Sequence, residues 1–325
     1  MSLQSLGASA SRLSSLRIIT HNIRYAATSL FPNERPWPER APLVINQLRH
    51  ETRGIVPTKV PTGTQPFSPS DYQDYFSSAF INLQEVLHTQ LIDILAGLNN
   101  VPADTDPAKG PTWEHVGVGR DDGKTKGEYS PIIYPVRQFN LLHNETVWLS
   151  ETPDVPSKGW DADSIRILTV GVFEHRQTLR KVVVANTHLD NAGQRSRVES
   201  VSLILKTLKR VHADWAGGDG VFLTGDFNSM PNGEAYLAMK QDGWLKDVHD
   251  EVEEVDRYGD IVTFSGFTPT QDPQGRIDFV WVGPTVEDKE SPLWKVEGYA
   301  VVPNVFEAGV YLSDHRAVVS DFTTG

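Results

Sequence analysis

Short apolar runs recur along this chain, and several are apolar at consecutive positions, so a strand built from them must be covered on both faces. Leu16 to Ile23, Ala79 to Val86, Glu114 to Val118, Ser130 to Tyr134, Leu141 to Leu149 and Ile167 to Glu174 read as strands. Val182 to Thr187, Gly220 to Thr224, Ile277 to Val282, Glu297 to Val302 and Ala317 to Phe322 continue the series. Helical patterns are fewer: Arg40 to Arg49 after Pro38, Leu87 to Leu98, Gly193 to Ala213 and Gly233 to Gln241. In the third, Leu203, Leu205, Leu208 and Val211 supply the apolar stripe. About eleven strands against about four helices predict two packed sheets with helices outside them.

Composition narrows what such a sandwich can do. The 325 residues are 39% hydrophobic and 22% charged, ordinary values for a globular chain. The net charge of −12 repels polyanions unless a local basic surface or bound cations reverse it, which disfavours broad nucleic-acid binding. With no cysteine, a thiolate ligand and a Cys nucleophile are excluded, and any metal must use oxygen or imidazole. No apolar run approaches the roughly 20 residues that span a bilayer, and no amphipathic segment supplies a membrane-binding surface. A soluble, cytoplasmic protein without membrane or protein partner is the expectation. A removed leader stays open, and Asn144-Glu145-Thr146 would be a glycosylation acceptor if the chain were secreted.

Residues 1–15 are Ser-rich with Arg12 as their only charge and read as a disordered tail. Residues 16–325 read as one domain, interrupted at 51–75 by a segment holding Pro57, Pro61, Pro66 and Pro69. That segment is either a substrate-side lid or a tolerated loop.

The apolar runs end in polar residues. Asn22 follows the first strand, Glu85 the second, His188 the seventh, and Asp226-Phe227-Asn228 the eighth, while Asp314-His315 precedes the last. Strand ends are poor places for packing and good ones for ligand-binding groups. Glu85 suits a hard divalent cation, which takes carboxylate and amide oxygens; it also reads as an exposed acid at a helix start. Asp226 and Asn228, two apart, fit an extended segment that orients a water and binds a phosphoryl oxygen, or a turn that caps the next helix. Asp278 interrupts an apolar strand, so it must meet a cation, a donor or solvent. Asp190 lies two residues beyond His188.

Gly119-Arg120-Asp121-Asp122-Gly123, followed by Gly127-Glu128-Tyr129, is either a charged hairpin turn or a substrate contact. In the second reading Arg120 binds phosphate bidentately while Glu128 holds it or approaches the metal. Arg24, Arg120, Arg195 and Arg197 would form a local basic patch. Trp113, Trp148, Trp160 and Phe173 either stack on a base or pack in the core.

Thr20-His21-Asn22-Ile23, Leu83-Gln84-Glu85-Val86, Thr187-His188-Leu189-Asp190, Gly225-Asp226-Phe227-Asn228 and Ser313-Asp314-His315, in this order, resemble the endonuclease/exonuclease/phosphatase superfamily. The resemblance spans residues 16–322, and the Gly119–Gly123 motif resembles one of its branches. It implies an α/β (α+β) fold: a four-layer α/β sandwich of two packed mixed β-sheets flanked by helices. It also implies a divalent-metal-dependent phosphoester hydrolase, diesterase or phosphatase, using Mg2+ or Mn2+. The metal residues would be Asn22, Glu85 and Asp314, with Glu85 the direct ligand. His188 would contact the scissile phosphate and Asp226 would activate water, with Asn228 beside it on phosphate. Asp278 would polarise a histidine, and His315 would stabilise the phosphoryl transition state or act as base. Arg120, Asp190 and Glu128 read as substrate-binding. The substrate expected for an acidic chain is a small molecule or single-stranded nucleic acid bearing a phosphoester. A catalytically silent binding module on the same fold is the alternative.

Overall fold

A computed structural model describes residues 15–52, 78–100, 112–216, 219–268, 274–285, 294–306 and 309–324. The predicted tail, up to residue 14, and the Pro-rich segment, from residue 53, lie outside the described residues. The elements run β1 (Ser15–Asn22), α1 (Trp37–Glu51), β2 (Ser78–Gln84), α2 (His88–Asn99), β3 (Trp113–Val116), β4 (Ile132–Pro135), β5 (Phe139–Trp148), β6 (Ile167–His175) and β7 (Lys181–His188). They continue with α3 (Gln194–Val211), β8 (Val221–Asp226), α4 (Glu234–Asp242), β9 (Lys246–Asp247), α5 (Val248–Glu251), β10 (Arg257–Gly259), β11 (Asp278–Gly283), β12 (Trp294–Val301) and β13 (Val318–Thr324).

The strands form two mixed sheets, one of seven in the order β10-β12-β13-β1-β2-β4-β3 and one of six in the order β5-β6-β7-β8-β11-β9. Alternation along each strand then distributes its side chains between two different cores. Ile18, Phe80, Val182, Val184, Phe222, Val280 and Phe322 face the space between the sheets. Their neighbours Ile19 and Ile81 face α1 and α2 through Val44, Leu48, Leu91 and Ile94. Val183, Leu223, Phe279 and Trp281 face α3 and α4 through Val201, Ile204, Leu208 and Met239. The doubly apolar runs are thus central strands, and the helix–sheet–sheet–helix arrangement follows from their need for cover on both sides.

Several expectations shift. The buried stripe of α3 is Val201, Ile204, Leu205, Leu208 and Val211, with Leu203 only partly buried, and a π-turn over His212–Ala216 replaces the last residues of the expected helix. Helix α1 begins at Trp37, so Pro38 lies inside the first turn, where its missing N–H removes no intrahelical bond. The short elements β9, β10 and α5 carry no apolar run and were not expected; β10 and β9 sit at sheet edges.

Parallel pairing of β1 with β2 and of β7 with β8 brings Asn22 beside Gln84 and His188 beside Asp226. Antiparallel β11 starts where β8 ends, placing Asp278 opposite Asp226. The topology therefore gathers the polar strand ends at one edge of the sandwich.

Between the sheets, the Phe222 ring lies 4.9 Å from that of Phe322 and 5.4 Å from that of Trp294. Truncation by Phe222→Ala leaves a void among fully buried rings, and we expect a loss of about 3–5 kcal/mol in stability, measured by urea denaturation.

Candidate active site

Asn22 stands at the centre. Its amide nitrogen donates to Glu85 Oε1 at 3.0 Å and to Asp226 Oδ2 at 3.0 Å, while its oxygen accepts the Arg24 N–H at 3.0 Å. That backbone bond fixes which way the amide points, so Asn22 bridges two carboxylates as a donor. Glu85 adopts a left-handed backbone at φ 58, turning its side chain back over the β1 end, where Oε2 accepts the Tyr25 N–H at 3.2 Å. Arg24, also left-handed, lies 3.7 Å from Glu85 and 3.2 Å from buried Glu34, and its guanidinium covers the rings of Tyr25 and Phe31.

Asp226, Asp278 and His315 form the buried half. His315 Nδ1 is 2.9 Å from Asp278 Oδ2 and its Nε2 is 3.7 Å from Asp226 Oδ2. Burial opposes charge on this imidazole, but Asp278 and Asp226 outweigh it and raise the pKa to about 10, so the ring is a cation at neutral pH. Asp226 is pushed up to about 7, by burial first and Asp278 second. Asp314 is likewise raised, by burial first; its Oδ1 accepts the Ser313 hydroxyl at 3.2 Å.

Gly225 explains how Asp226 reaches this position. A Cβ there would stand 2.3 Å from the Thr187 carbonyl oxygen, so only glycine lets β8 lie this close to β7. Beyond Asp226 the chain does not stay extended: Asn228 is left-handed at φ 47, and its N–H donates to Asp226 Oδ1 at 2.9 Å. Its amide nitrogen nonetheless reaches the Leu189 carbonyl at 3.0 Å and lies 3.0 Å from His188 Nε2. Turn and site are the same structure.

His188 lies 3.4 Å from Asp226 and 3.9 Å from Glu128. Burial and then the nearby Arg166 and Arg120 hold its pKa well below the ordinary value, so it is neutral. The Arg120 loop is the predicted turn, closed by Asp122 accepting the N–H groups of Lys124 and Lys126, and it also aims Arg120 at Glu128 with a 2.7 Å bond. Trp148 donates its indole N–H to the Arg120 carbonyl at 2.7 Å, and Phe173 packs on Phe80 between the sheets. Trp113 and Trp160 are half-buried.

Two expectations separate from this cluster. Asp190 accepts the N–H groups of Asp163, Ser164, Ala192 and Gly193 and lies 3.4 Å from Arg166 Nε, so its carboxylate organises a loop and the start of α3. The four arginines of the expected basic patch are each paired: Arg24 with Glu34, Arg120 with Glu128, Arg195 with Glu199 and Arg197 with Glu234. Charge is thereby neutralised where a patch was expected.

Arg166 and Arg40 escaped notice in the sequence. Arg166 immediately precedes β6, whose register sets Leu168 opposite Thr187 and so puts Arg166 next to the end of β7. A cation just ahead of a strand that pairs with the His188 strand was the available signal. Arg40 is fully buried and donates to the carbonyls of Ile23, Arg24, Tyr25, Arg35 and Leu312, which no local pattern announces.

A model of the Endonuclease/Exonuclease/phosphatase family matches residues 19–315. An endonuclease/exonuclease/phosphatase family protein of Bacteroides thetaiotaomicron shares 30% identity at a TM-score of 0.74, over 96% of this chain and 98% of its own. A mannosyl-6-phosphatase of the same organism shares 30% identity at a TM-score of 0.73, over 95% of this chain and 99% of its own. The human nocturnin catalytic domain shares the fold, with a TM-score of 0.62 at 15% identity over 96% of this chain and 95% of its own. Among curated proteins nothing matches.

Backbone donors outweigh the opposing effect of burial and hold the Asp190 pKa down to about 2. A depressed carboxylate pKa adds stability that is present above the ordinary carboxylate range and is lost as pH falls towards 2, about 2 kcal/mol in all. Asp190→Asn should therefore lose about that much at pH 7, with the gap to wild type closing as the pH falls towards 2 in chemical denaturation series. A gap independent of pH would contradict this account.

Proposed function

Because the chain belongs to the endonuclease/exonuclease/phosphatase family, we propose that it hydrolyses a phosphoester with an activated water in in-line attack on phosphorus, in a divalent-metal-dependent reaction. The observation that carries the reading is the unbroken chain of contacts from Glu85 through Asn22 and Asp226 to His315 and Asp278. It supplies, within one cluster, a base, a cationic donor and carboxylates for an ion.

The donor chemistry fits a hard cation. Glu85, Asp226, Asp278 and Asp314 bring an excess of carboxylate, and burial first and neighbouring carboxylates second raise the proton affinity of Asp226 and Asp314, a cost that a divalent ion would relieve. Glu85 and Asp314, with Asn22 alongside, would hold Mg2+, or Mn2+ in its place. When bound, the ion neutralises charge on the phosphoryl oxygens and acidifies its water. Ligand atoms of Asp226, Asp278 and His315 also lie within 4.8 Å of one another. There the cationic imidazole bound to Asp278 favours proton handling over ion binding.

Asp226 accepts the proton of the attacking water as the new P–O bond forms. Its raised pKa matches a base working near neutrality. Asn22 and the Asn228 N–H fix its two oxygens, so it meets the water in one orientation. His315, charged and steadied by Asp278, donates to a phosphoryl oxygen where negative charge develops. Neutral His188, held by the Asn228 amide, contacts the same group from the other side. The P–O bond to the leaving group then breaks, and the departing alkoxide takes up a proton.

The phosphomonoester named for the mannosyl-6-phosphatase supports a small phosphorylated substrate. The net charge of −12 favours this over a long duplex; a single-stranded nucleic acid stays within the reading.

The test is hydrolysis of p-nitrophenyl phosphate, bis-p-nitrophenyl phosphate, sugar phosphates and single-stranded DNA and RNA with Mg2+, Mn2+ or chelator. Activity should require the metal, and Asp226→Asn and His315→Gln should each lower kcat by about 10²–10⁴-fold, with Tm recorded to separate this loss from the destabilisation expected when His315→Gln leaves Asp278 without its cation. Unchanged turnover in either variant would remove that residue from the reaction, and a wild type inert on every ester would turn the reading towards a silent binding module.

A further inference from the structure

Three buried nitrogens beside His188 lack a hydrogen-bond partner: Arg120 Nε, Arg166 Nη1 and His188 Nδ1. The side chains of Arg166 and His188 are only 6% and 8% exposed, so water does not readily complete them. Each guanidinium is fixed by carboxylates or an amide on one side. Arg120 donates to Glu128 at 2.7 Å, and its Nε is 3.7 Å from Asp121, too far for a hydrogen bond. Arg166 is 3.4 Å from Asp190 and donates to Asn191 at 2.9 Å. A guanidinium has five N–H groups, so these contacts orient it without exhausting it.

The three residues are neighbours in the fold. Glu128 links Arg120 to His188, which is 3.9 Å from it, and the β6–β7 register places Arg166 against the end of the strand that carries His188. Asn228 donates to the Leu189 carbonyl and lies 3.0 Å from His188 Nε2, closer than Asp226 Oδ2 at 3.4 Å, so Nε2 is taken as the acceptor, with the imidazole proton on Nδ1. The field of the two guanidiniums at His188 contributes to keeping that ring neutral.

We propose that Arg120 and Arg166, with the Nδ1–H of His188, form a clamp for the terminal phosphoryl group of a phosphomonoester. The assignment rests on the phosphoester reading and narrows its substrate class. A terminal phosphoryl group offers three non-bridging oxygens, one for each of the three unpartnered N–H donors. A diester offers two such oxygens and one charge, and its second substituent would compete for the space that the clamp surrounds. Bound phosphate gives these donors the acceptors they lack in the free protein.

The decisive measurements are calorimetric titration of inorganic phosphate in the presence of Mg2+, and kcat/KM for p-nitrophenyl phosphate against bis-p-nitrophenyl phosphate. They are made on wild type, Arg120→Gln, Arg166→Gln and Arg166→Lys, with Tm recorded for each. We expect phosphate affinity and monoester kcat/KM to fall at least about tenfold in both Gln variants, and the loss on the monoester to exceed that on the diester. Arg166→Lys keeps the charge and the Asp190 pairing, so it serves if Arg166→Gln does not fold, and partial retention of phosphate affinity is expected there. The clamp is overturned if wild type binds no phosphate, if the variants bind it as wild type does, or if both esters lose activity equally, as contact with a neighbouring phosphate of an oligonucleotide would produce. Should wild type bind phosphate through these arginines yet cleave no ester, the clamp stands and the hydrolase reading falls.

Discussion

Burying several carboxylates and imidazoles at one edge of an apolar sandwich is the constraint on which the rest of this molecule turns. A lone buried charge is costly, so each must be answered by a specific partner. Asp278 is answered by His315, Asp226 by Asn22 and the Asn228 N–H, and Glu85 by Asn22 and Tyr25. The compensation is incomplete by design of the topology: Asp278 Oδ1 and His188 Nδ1 stay without partners. Such residual electrostatic tension marks a site arranged for a ligand rather than for stability.

The loops that carry these groups need an anchor that does not compete for them, and Arg40 provides it. Its guanidinium hydrogen-bonds to backbone carbonyls, those of Ile23, Arg24, Tyr25 and Arg35 after β1 and of Leu312 before Asp314. Two segments far apart in sequence are thereby tied at a fixed spacing, so the ends of β1 and β13 cannot drift relative to each other. The cation also sits among Glu34, Asp314 and Glu85, contributing positive potential without a direct bond to the site. Left-handed Arg24, Glu85 and Asn228 hold backbone conformations that non-glycine residues adopt rarely, and the surrounding hydrogen bonds sustain them.

What was legible in the sequence follows from this physics. Doubly apolar runs announce central strands because no other element needs cover on both faces, and polar residues at their ends announce a site because packing gives them no purpose there. Asp278, a carboxylate inside an apolar run, was readable for the same reason. Residues whose role is set by distant partners were not. Asp190 looked like a companion of His188, yet backbone N–H groups of a separate loop claim it. Arg166 and Arg40 act through carbonyls and carboxylates brought near only by folding. The left-handed turn at Asn228 reconciled two local readings that sequence had set against each other.

The charge distribution then bears on which phosphoesters can enter. Arg24, Arg195 and Arg197 are neutralised by neighbouring acids, and the chain as a whole is strongly acidic. Long-range steering of a polyanion is thus absent from the groups once expected to provide it. Arg120 and Arg166 are also paired, with Glu128 and Asp190, but each keeps a buried nitrogen without a hydrogen-bond partner, where low dielectric strengthens an interaction and salt screens it little. With the proposed clamp, a chain of this net charge would favour compact anions over extended polyanions. Small size and a terminal phosphate would then be two expressions of one electrostatic arrangement.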